Sequence, residues 1–216
     1  MVDATSDSPT HHPRQDARIL VAVTGASGSI YAERLVDILR TKVERVYLLF
    51  SDAGLQVVRH ELKPRTEGFS LVRAAAGDLD PADRQVIRLL DNNDLFAPVA
   101  SGSSAPTAMV VLPTSMGTLG RICHGISSNL LERSADVCLK QKRPLVLCPR
   151  ETPLSAIHLK NMLQLAEYGA SIVPAMPAFY QHPKSIEDLV DFMVGRVLEV
   201  LDLPHGLYPP WNSRMR

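Results

Sequence analysis

The stretch RILVAVTGASGSIYAERL, residues 18–35, decides the fold. Its first part, Arg18 to Thr24, is a largely apolar run with no alternation, as expected of a strand buried on both faces in a parallel sheet. Gly25 and Gly28 then let the backbone turn tightly. From Ser29 to Lys42 the apolar residues Ile30, Leu35, Ile38 and Leu39 recur at helical spacing. A strand, a glycine loop and a helix in this order leave the helix's first N–H groups free for an anion. A dinucleotide fingerprint would place a further glycine three residues after Gly28, where Tyr31 stands. It would also place an acidic residue about 20 residues on, where only a late Asp52 is found. The loop reads as a phosphate cradle rather than a dinucleotide site, or as a βα turn without a ligand.

The same alternation continues outward. Val46–Phe50, Gln85–Leu90, Ala108–Pro113, Pro144–Cys148 and Ala170–Val173 read as strands. Ala53–Leu62, Met116–His124, Asn129–Lys142, Ser155–Tyr168 and Ser185–Leu201 read as helices. In the fourth of these, Ile157, Met162, Leu165 and Ala166 form the expected apolar side. Asp91–Pro106 is a long loop of Asn, Gly, Ser and Pro. Such alternation predicts a single α/β domain over 18–203 with a mainly parallel, doubly wound sheet. Ligands of these folds sit at the carboxyl ends of the strands. Residues 1–17 are polar and read as a disordered extension, and 204–216 as a C-terminal tail.

Composition narrows the function. Lys plus Arg equals Asp plus Glu, 23 against 23, so the chain lacks the basic excess that bulk nucleic-acid binding requires. No apolar run reaches the roughly 18 residues that span a membrane. The three cysteines, Cys123, Cys138 and Cys148, form no CxxC pair and read as buried thiols of a reducing, cytoplasmic compartment. No His, Asp or Glu cluster has metal-ligand spacing.

Four loops carry the chemistry. Besides 24–28, Ala100–Pro106 (ASGSSAP) offers small hydroxyls, although it reads equally as a plain loop. Pro113–Thr118 (PTSMGT) opens a helix with hydroxyls and a glycine. Pro149–Pro153 (PRETP) puts Arg150 and Glu151 side by side at a strand's carboxyl end. A guanidinium fork matches a phosphate, and a carboxylate beside it can exchange protons with that phosphate. Arg133 and Lys140, seven residues apart on one helix, and Arg196 on the last helix are further cations; each also reads as solvated charge. His158 and Lys142 have no evident partner.

Together these stretches resemble the flavin prenyltransferases, the UbiX-type family. The likeness lies in TGASGSIYAERL (24–35), NDLFAPVASGSSAPTAMVVLP (93–113), SNLLERSADVCLKQKRPLVLCPRETPLSAIHLKNMLQLAEYGA (128–170) and PAMPAFYQHPKSIEDLVDFMVGRVL (174–198). The resemblance implies a flavodoxin-like fold and the joining of a dimethylallyl group, from dimethylallyl phosphate, to N5 and C6 of reduced FMN. The prenylated FMN would pass to a UbiD-type decarboxylase. No metal is implied, and a homo-oligomer, a dodecamer, is. The motif match sets Gly25, Ala26, Ser27, Ser51, Ser115, Met116, Gly117, Thr118 and Arg150 against FMN. It sets Arg133, Lys140, Tyr180 and Arg196 against the donor phosphate, and gives Ser27, Glu61 and Glu151 catalytic roles.

Three departures stand out. Leu95-Phe96 replace a region where relatives often carry tryptophan, Gly117 replaces a frequent lysine, and Ser127-Ser128-Asn129 replaces a common SDN. Two other readings share the fold: an FMN-dependent cysteine decarboxylase, and a non-catalytic FMN carrier.

Overall fold

The computed structural model describes residues 16–209. Six parallel strands form one sheet in the order β3-β2-β1-β4-β5-β6. They are β1 (Arg18–Val23), β2 (Arg45–Phe50), β3 (Ile87–Leu90), β4 (Ala108–Thr114), β5 (Leu145–Pro149) and β6 (Ser171–Ile172). Without the edge strand β3, the order β2-β1-β4-β5-β6 is that of flavodoxin; with it, the order is that of Rossmann folds. The expected doubly wound α/β domain is therefore present.

Strands β1, β2, β4 and β5 are almost wholly buried because helices cover both faces. On one face Ile19, Val21 and Val23 pack with α1 (Ser29–Leu39) and α8 (Ile186–Val200). On the other, Leu20 and Ala22 pack with α5 (Met116–Cys123), α6 (Leu130–Lys140) and the Leu165 side chain of α7 (Ala156–Glu167). The apolar side expected for α7 is only partly right: Leu165 is buried, but Ile157 and Ala166 are exposed. Two short helices, α3 (Leu71–Ala75) and α4 (Pro81–Val86), precede β3; α4 takes Gln85 and Val86, which the sequence assigns to the strand, so β3 begins only at Ile87. Each is too short to display a helical period, although Ser70 caps the first and Asp80-Pro81 opens the second.

The loop 91–107 follows an unexpected course. It leaves the carboxyl end of β3, where Asn92 supplies its backbone and side-chain oxygens to the Leu130 and Leu131 amides that open α6. It then runs along α6 and ends beside the start of β1, where Thr107 and Arg18 exchange hydrogen bonds. The Ser101–Ser104 hydroxyls thus lie along α6, not over the strand ends. Ser104 donates to the Pro98 carbonyl and Ser101 bonds Ser103.

Most of the expected N-terminal extension (residues 1–15) lies outside the described residues. Ala17, placed in that extension, is buried, and its carbonyl accepts from Arg45 N–H at 3.3 Å. Of the expected tail, 210–216 lie outside the described residues, whereas 204–209 pack on α8. Lys142 takes a left-handed φ of 52° just after α6. His158 does have a partner, because it closes a capping box with Ser155 at the start of α7.

Helix α1 begins without a side-chain cap of its own, since Gly28 stands at the N-cap with φ 115°. Glu61, the last residue of α2 (Asp52–Glu61), fills that role from outside. Its carboxylate accepts from Gly28 N–H at 2.9 Å and Ser29 N–H at 2.8 Å. Burial works against this charge, but the Ser27 hydroxyl and the two amides outweigh it and hold the carboxyl below its ordinary value. A depressed carboxyl stabilises the fold above its unfolded pKa and loses that contribution as pH falls through the folded one. The Tm difference between wild type and Glu61→Gln is therefore expected to be constant above pH 4.5 and to shrink below it. Melts from about pH 7 to about pH 3 check this; a gap that persists undiminished in acid would mean the cap does not act as a carboxylate.

Candidate functional site

The strand order reverses direction of winding between β1 and β4, and ligands of open α/β sheets bind in the crevice this leaves at the carboxyl ends. Its floor is tied by a buried hydroxyl. Thr24 Oγ1 donates to Pro113 O at 2.7 Å and accepts from Ser115 N–H at 2.7 Å. Next to it, Thr114 Oγ1 accepts from Cys148 N–H at 3.0 Å, and Arg150 N–H reaches Thr114 O at 3.3 Å. The loops after β1, β4 and β5 are thereby fixed to one another.

Three of the sequence-assigned residues meet directly. Arg150 swings over the crevice and its Nε donates to Ser27 O at 3.3 Å. Ser27 is exposed and in turn hydrogen-bonds Glu61. On one side of this group stands Ser51, which caps α2 by accepting from Gly54 N–H at 3.0 Å. On the other stands Ser115, which caps α5, accepts from Thr118 N–H and donates to Thr118 Oγ1 at 3.0 Å. The first-turn amides of Met116 and Gly117 have no partner inside their helix.

Small residues make this packing possible. A Cβ on Gly25 would lie 2.6 Å from Ala53 Cβ, and one on Gly54 would collide with the Val23 carbonyl. The start of α2 is thus pressed against the end of β1. Gly117 faces open space, with only Arg121 Nη1 at 3.5 Å from a hypothetical Cβ.

The anion cradle expected at 24–28 is altered by Glu61. The Gly28 and Ser29 amides that a phosphate would use already hold a carboxylate. Sequence reasoning assigned Glu61 to catalysis but missed this cap, because Glu61 and Gly28 are 33 residues apart and no local signal joins them. The donors left for an anion are the α5 and α2 N-termini, the hydroxyls of Ser51, Ser115 and Thr118, and the Arg150 guanidinium. That mixed set of neutral donors and one cation fits the phosphate and polar ring edge of FMN.

The other assigned residues make different contacts. Glu151 is exposed and accepts from its neighbour Thr152 N–H at 3.0 Å. Arg133 donates to Ala100 O at 3.2 Å and pairs with Asp136, so it ties the 98–100 turn to α6. Lys140 ends α6, two turns or about 10 Å further along. Tyr180 stands edge-on to Phe192, and Arg196 pairs with Glu199 on α8. Phe96, in the stretch where relatives often carry tryptophan, is 99% exposed.

A network missed from sequence backs the Ser115 loop. Glu132, buried on α6, accepts from Arg121 and from Ser128 N–H and Oγ–H, and Arg121 Nη2 reaches Thr118 Oγ1 at 3.3 Å. All three cysteines are buried, and burial pushes Cys138 up to about 12. No group of three or more potential metal ligands occurs among the described residues, and no helix among them is long and apolar enough to cross a membrane.

Comparison with known proteins gives these features a family. The Flavoprotein family model matches residues 7–198. A flavin prenyltransferase UbiX from Halalkalibacterium halodurans is 48% identical over 196 residues, covering 89% of this chain and 92% of the relative. The solved structure of AnUbiX (PadA1) in complex with FMN and dimethylallyl pyrophosphate is 41% identical, with TM-score 0.80 over 92% of this chain and 98% of that one. A dodecameric FMN-dependent Ubix-like decarboxylase from Escherichia coli O157:H7 is 37% identical, with TM-score 0.80 over 91% and 100%. The strand-end crevice, its hydroxyl-capped helices and the arginine across it are therefore those of a member of the UbiX flavin prenyltransferase family, to which this chain belongs.

Proposed function

We propose that this chain transfers a dimethylallyl group from dimethylallyl phosphate to N5 and C6 of reduced FMN, releasing phosphate and giving prenylated FMN. The observation that carries this reading is Arg150 held across the β1–β4 crevice against Ser27, in a chain of this family. Bound FMN supplies the nucleophilic N5 and C6 atoms. Gly25, Ala26, Ser51 and the Ser115–Thr118 turn hold it, and Arg150 meets its phosphate or that of the donor.

Breaking the allylic C–O bond places negative charge on the departing phosphate. Fixed cations stabilise that charge most where water is excluded. Arg133, Lys140, Tyr180 and Arg196 match donor-phosphate residues, and Arg133 on α6 and Arg196 on α8 belong to opposite helical layers of one protomer. Copies of the chain packed together would bring such residues to one phosphate, which supports a homo-oligomer and, by likeness to the dodecameric relative, a dodecamer. Ile157, Leu159, Leu163 and Tyr168 on and after α7, with Phe179, are exposed apolar side chains suited to such contacts. Glu151 donates a proton to the leaving phosphate. Ser27 would relay the proton lost from N5 to the Glu61 carboxylate it hydrogen-bonds, and for the second bond the proton added to the inner alkene carbon balances the one that C6 gives up as it joins the tertiary carbon. The product passes to a UbiD-type decarboxylase, and the site of action is the cytoplasm.

Neither rival reading is favoured. His158 is engaged in the α7 capping box, and His124 Nδ1 is 2.8 Å from Gly120 O, so neither is poised as the catalytic histidine of a cysteine decarboxylase. A carrier would leave Arg150-Glu151 without a task.

Purified protein incubated anaerobically with reduced FMN and dimethylallyl phosphate is expected to yield FMN heavier by one isoprene unit in mass spectrometry. FMN bound but unmodified would sink the reading. Glu151→Gln is expected to bind FMN as the wild type does while turnover falls roughly a hundredfold or more; unchanged product formation would remove Glu151 from its role.

A further inference from the structure

Helix α8 carries a patch of bare backbone at Gly195. A Cβ there would collide with the Tyr208 ring and lie 2.9 Å from His205 Cε1. The chain leaving α8 folds back onto this patch. Leu203 is buried, and the Tyr208 ring packs on Phe192 at 5.3 Å and on His205 at 4.9 Å between centroids. Gln181 Nε2 fastens the segment further by donating to Pro209 O at 3.2 Å.

Two rings of this segment converge on one carboxylate. Tyr208 O–H donates to Glu199 Oε1 at 2.8 Å, and His205 Nε2 lies 3.4 Å from the same atom. The other oxygen, Oε2, accepts from Arg196 Nη1. Burial and the Glu199 carboxylate raise the Tyr208 pKa well above its usual value, so the hydroxyl remains a donor. The Tyr180 ring also meets Phe192, edge-on at 5.7 Å. Arg196 and Tyr180, the two residues assigned to the donor phosphate from this part of the chain, are thus wired to the same return segment.

The Arg196–Glu199 pair is poorly explained as a source of stability. Its side chains are 52% and 38% exposed, and exposed pairs contribute little. Its geometry is better explained by orientation. A long arginine side chain loses rotamer freedom when it grips an anion, and a partner that holds it beforehand lowers that cost. Glu199 and the Tyr208 hydroxyl engage part of the planar donor fork, and the remaining N–H groups are available to a ligand.

We propose that residues 205–208 form a clamp that positions Arg196 and Tyr180 for the phosphate of the prenyl donor, with Glu199 as the positioning residue and Gly195 as its socket. This rests on the flavin prenyltransferase reading above.

The test compares wild type, Tyr208→Phe and Gly195→Ala in steady-state prenylation of reduced FMN. Tyr208→Phe deletes one hydroxyl and keeps the ring; Gly195→Ala displaces the segment from its socket. The KM for dimethylallyl phosphate is expected to rise several-fold in Tyr208→Phe and roughly tenfold in Gly195→Ala, with kcat at saturating donor and the Kd for FMN unchanged. Hydrogen exchange gives a second readout. The Leu207 amide, which faces His205 Nδ1 at 3.4 Å, is expected to exchange faster in Gly195→Ala while the middle of α8 stays protected. Wild-type KM in both variants, or unchanged Leu207 exchange, overturns the clamp and leaves prenyl transfer standing. A parallel loss of kcat and FMN binding also overturns it, since that marks a general structural defect. Absence of product from the wild type overturns the prenyltransferase reading and the clamp with it.

Discussion

Thr24 is where the two halves of this sheet are fastened together. Its side chain is fully buried, and a buried hydroxyl without partners is costly. Both of its roles are filled, one by the Pro113 carbonyl and one by the Ser115 amide. No βαβ connection runs directly from β1 to β4, so their following loops are joined by these hydrogen bonds rather than by a shared crossover. Thr114 repeats the device one strand further. Its hydroxyl donates to Val111 O at 2.6 Å and accepts from Cys148 N–H, bridging the register break between β4 and β5. The positions of Ser115, Ser27 and Arg150 follow from these two threonines. A crevice with a rigid floor can hold a flat ring still, which transfer to specific ring atoms requires.

Much of this was legible because the signals were local. Strands buried on both faces appear as unbroken apolar runs, and β1, β2, β4 and β5 were found within a residue or two of their ends. Arg150-Glu151 and the Ser115 turn were legible because charge and hydroxyls are out of place at the end of a buried strand. What escaped was set by tertiary contact. Glu61 caps a helix 33 residues upstream, and nothing near Gly28 announces it. The serines at 101–104 read as ligand donors or, at least equally, as a plain loop, and the route of their loop depends on Asn92 opening α6 and Thr107 pairing with Arg18. The sides of α7 were misjudged for a related reason. Ile157 has the right spacing for a core position, yet the sheet it would face has already ended at the two-residue strand β6.

The placement of the cations bears on assembly. Arg133 and Lys140 follow α6 away from the strand ends, while Arg150 stays above them. Arg196 and Tyr180 sit on the opposite helical layer, with α8. The sheet therefore stands between Arg133 and Arg196 within one protomer. A chain with no net charge and a band of exposed aliphatic side chains on α7 is suited to packing against its own copies, since long-range repulsion between them is weak.

The charge at the head of α1 also divides labour within the crevice. A helix N-terminus favours an anion, and α1 has already taken one in Glu61. A second anion brought to the same amides would meet a carboxylate that hydrogen bonds keep ionised, so like charges would share one site. On the proposed reading a nucleotide phosphate would turn to α5, α2 and Arg150, where no carboxylate occupies the donors. What remains at the 24–28 loop is the Ser27 hydroxyl, hydrogen-bonded to a carboxylate and covered by a guanidinium. Such an arrangement suits the movement of a proton better than a grip on phosphate, which is the part the proposed function gives this loop.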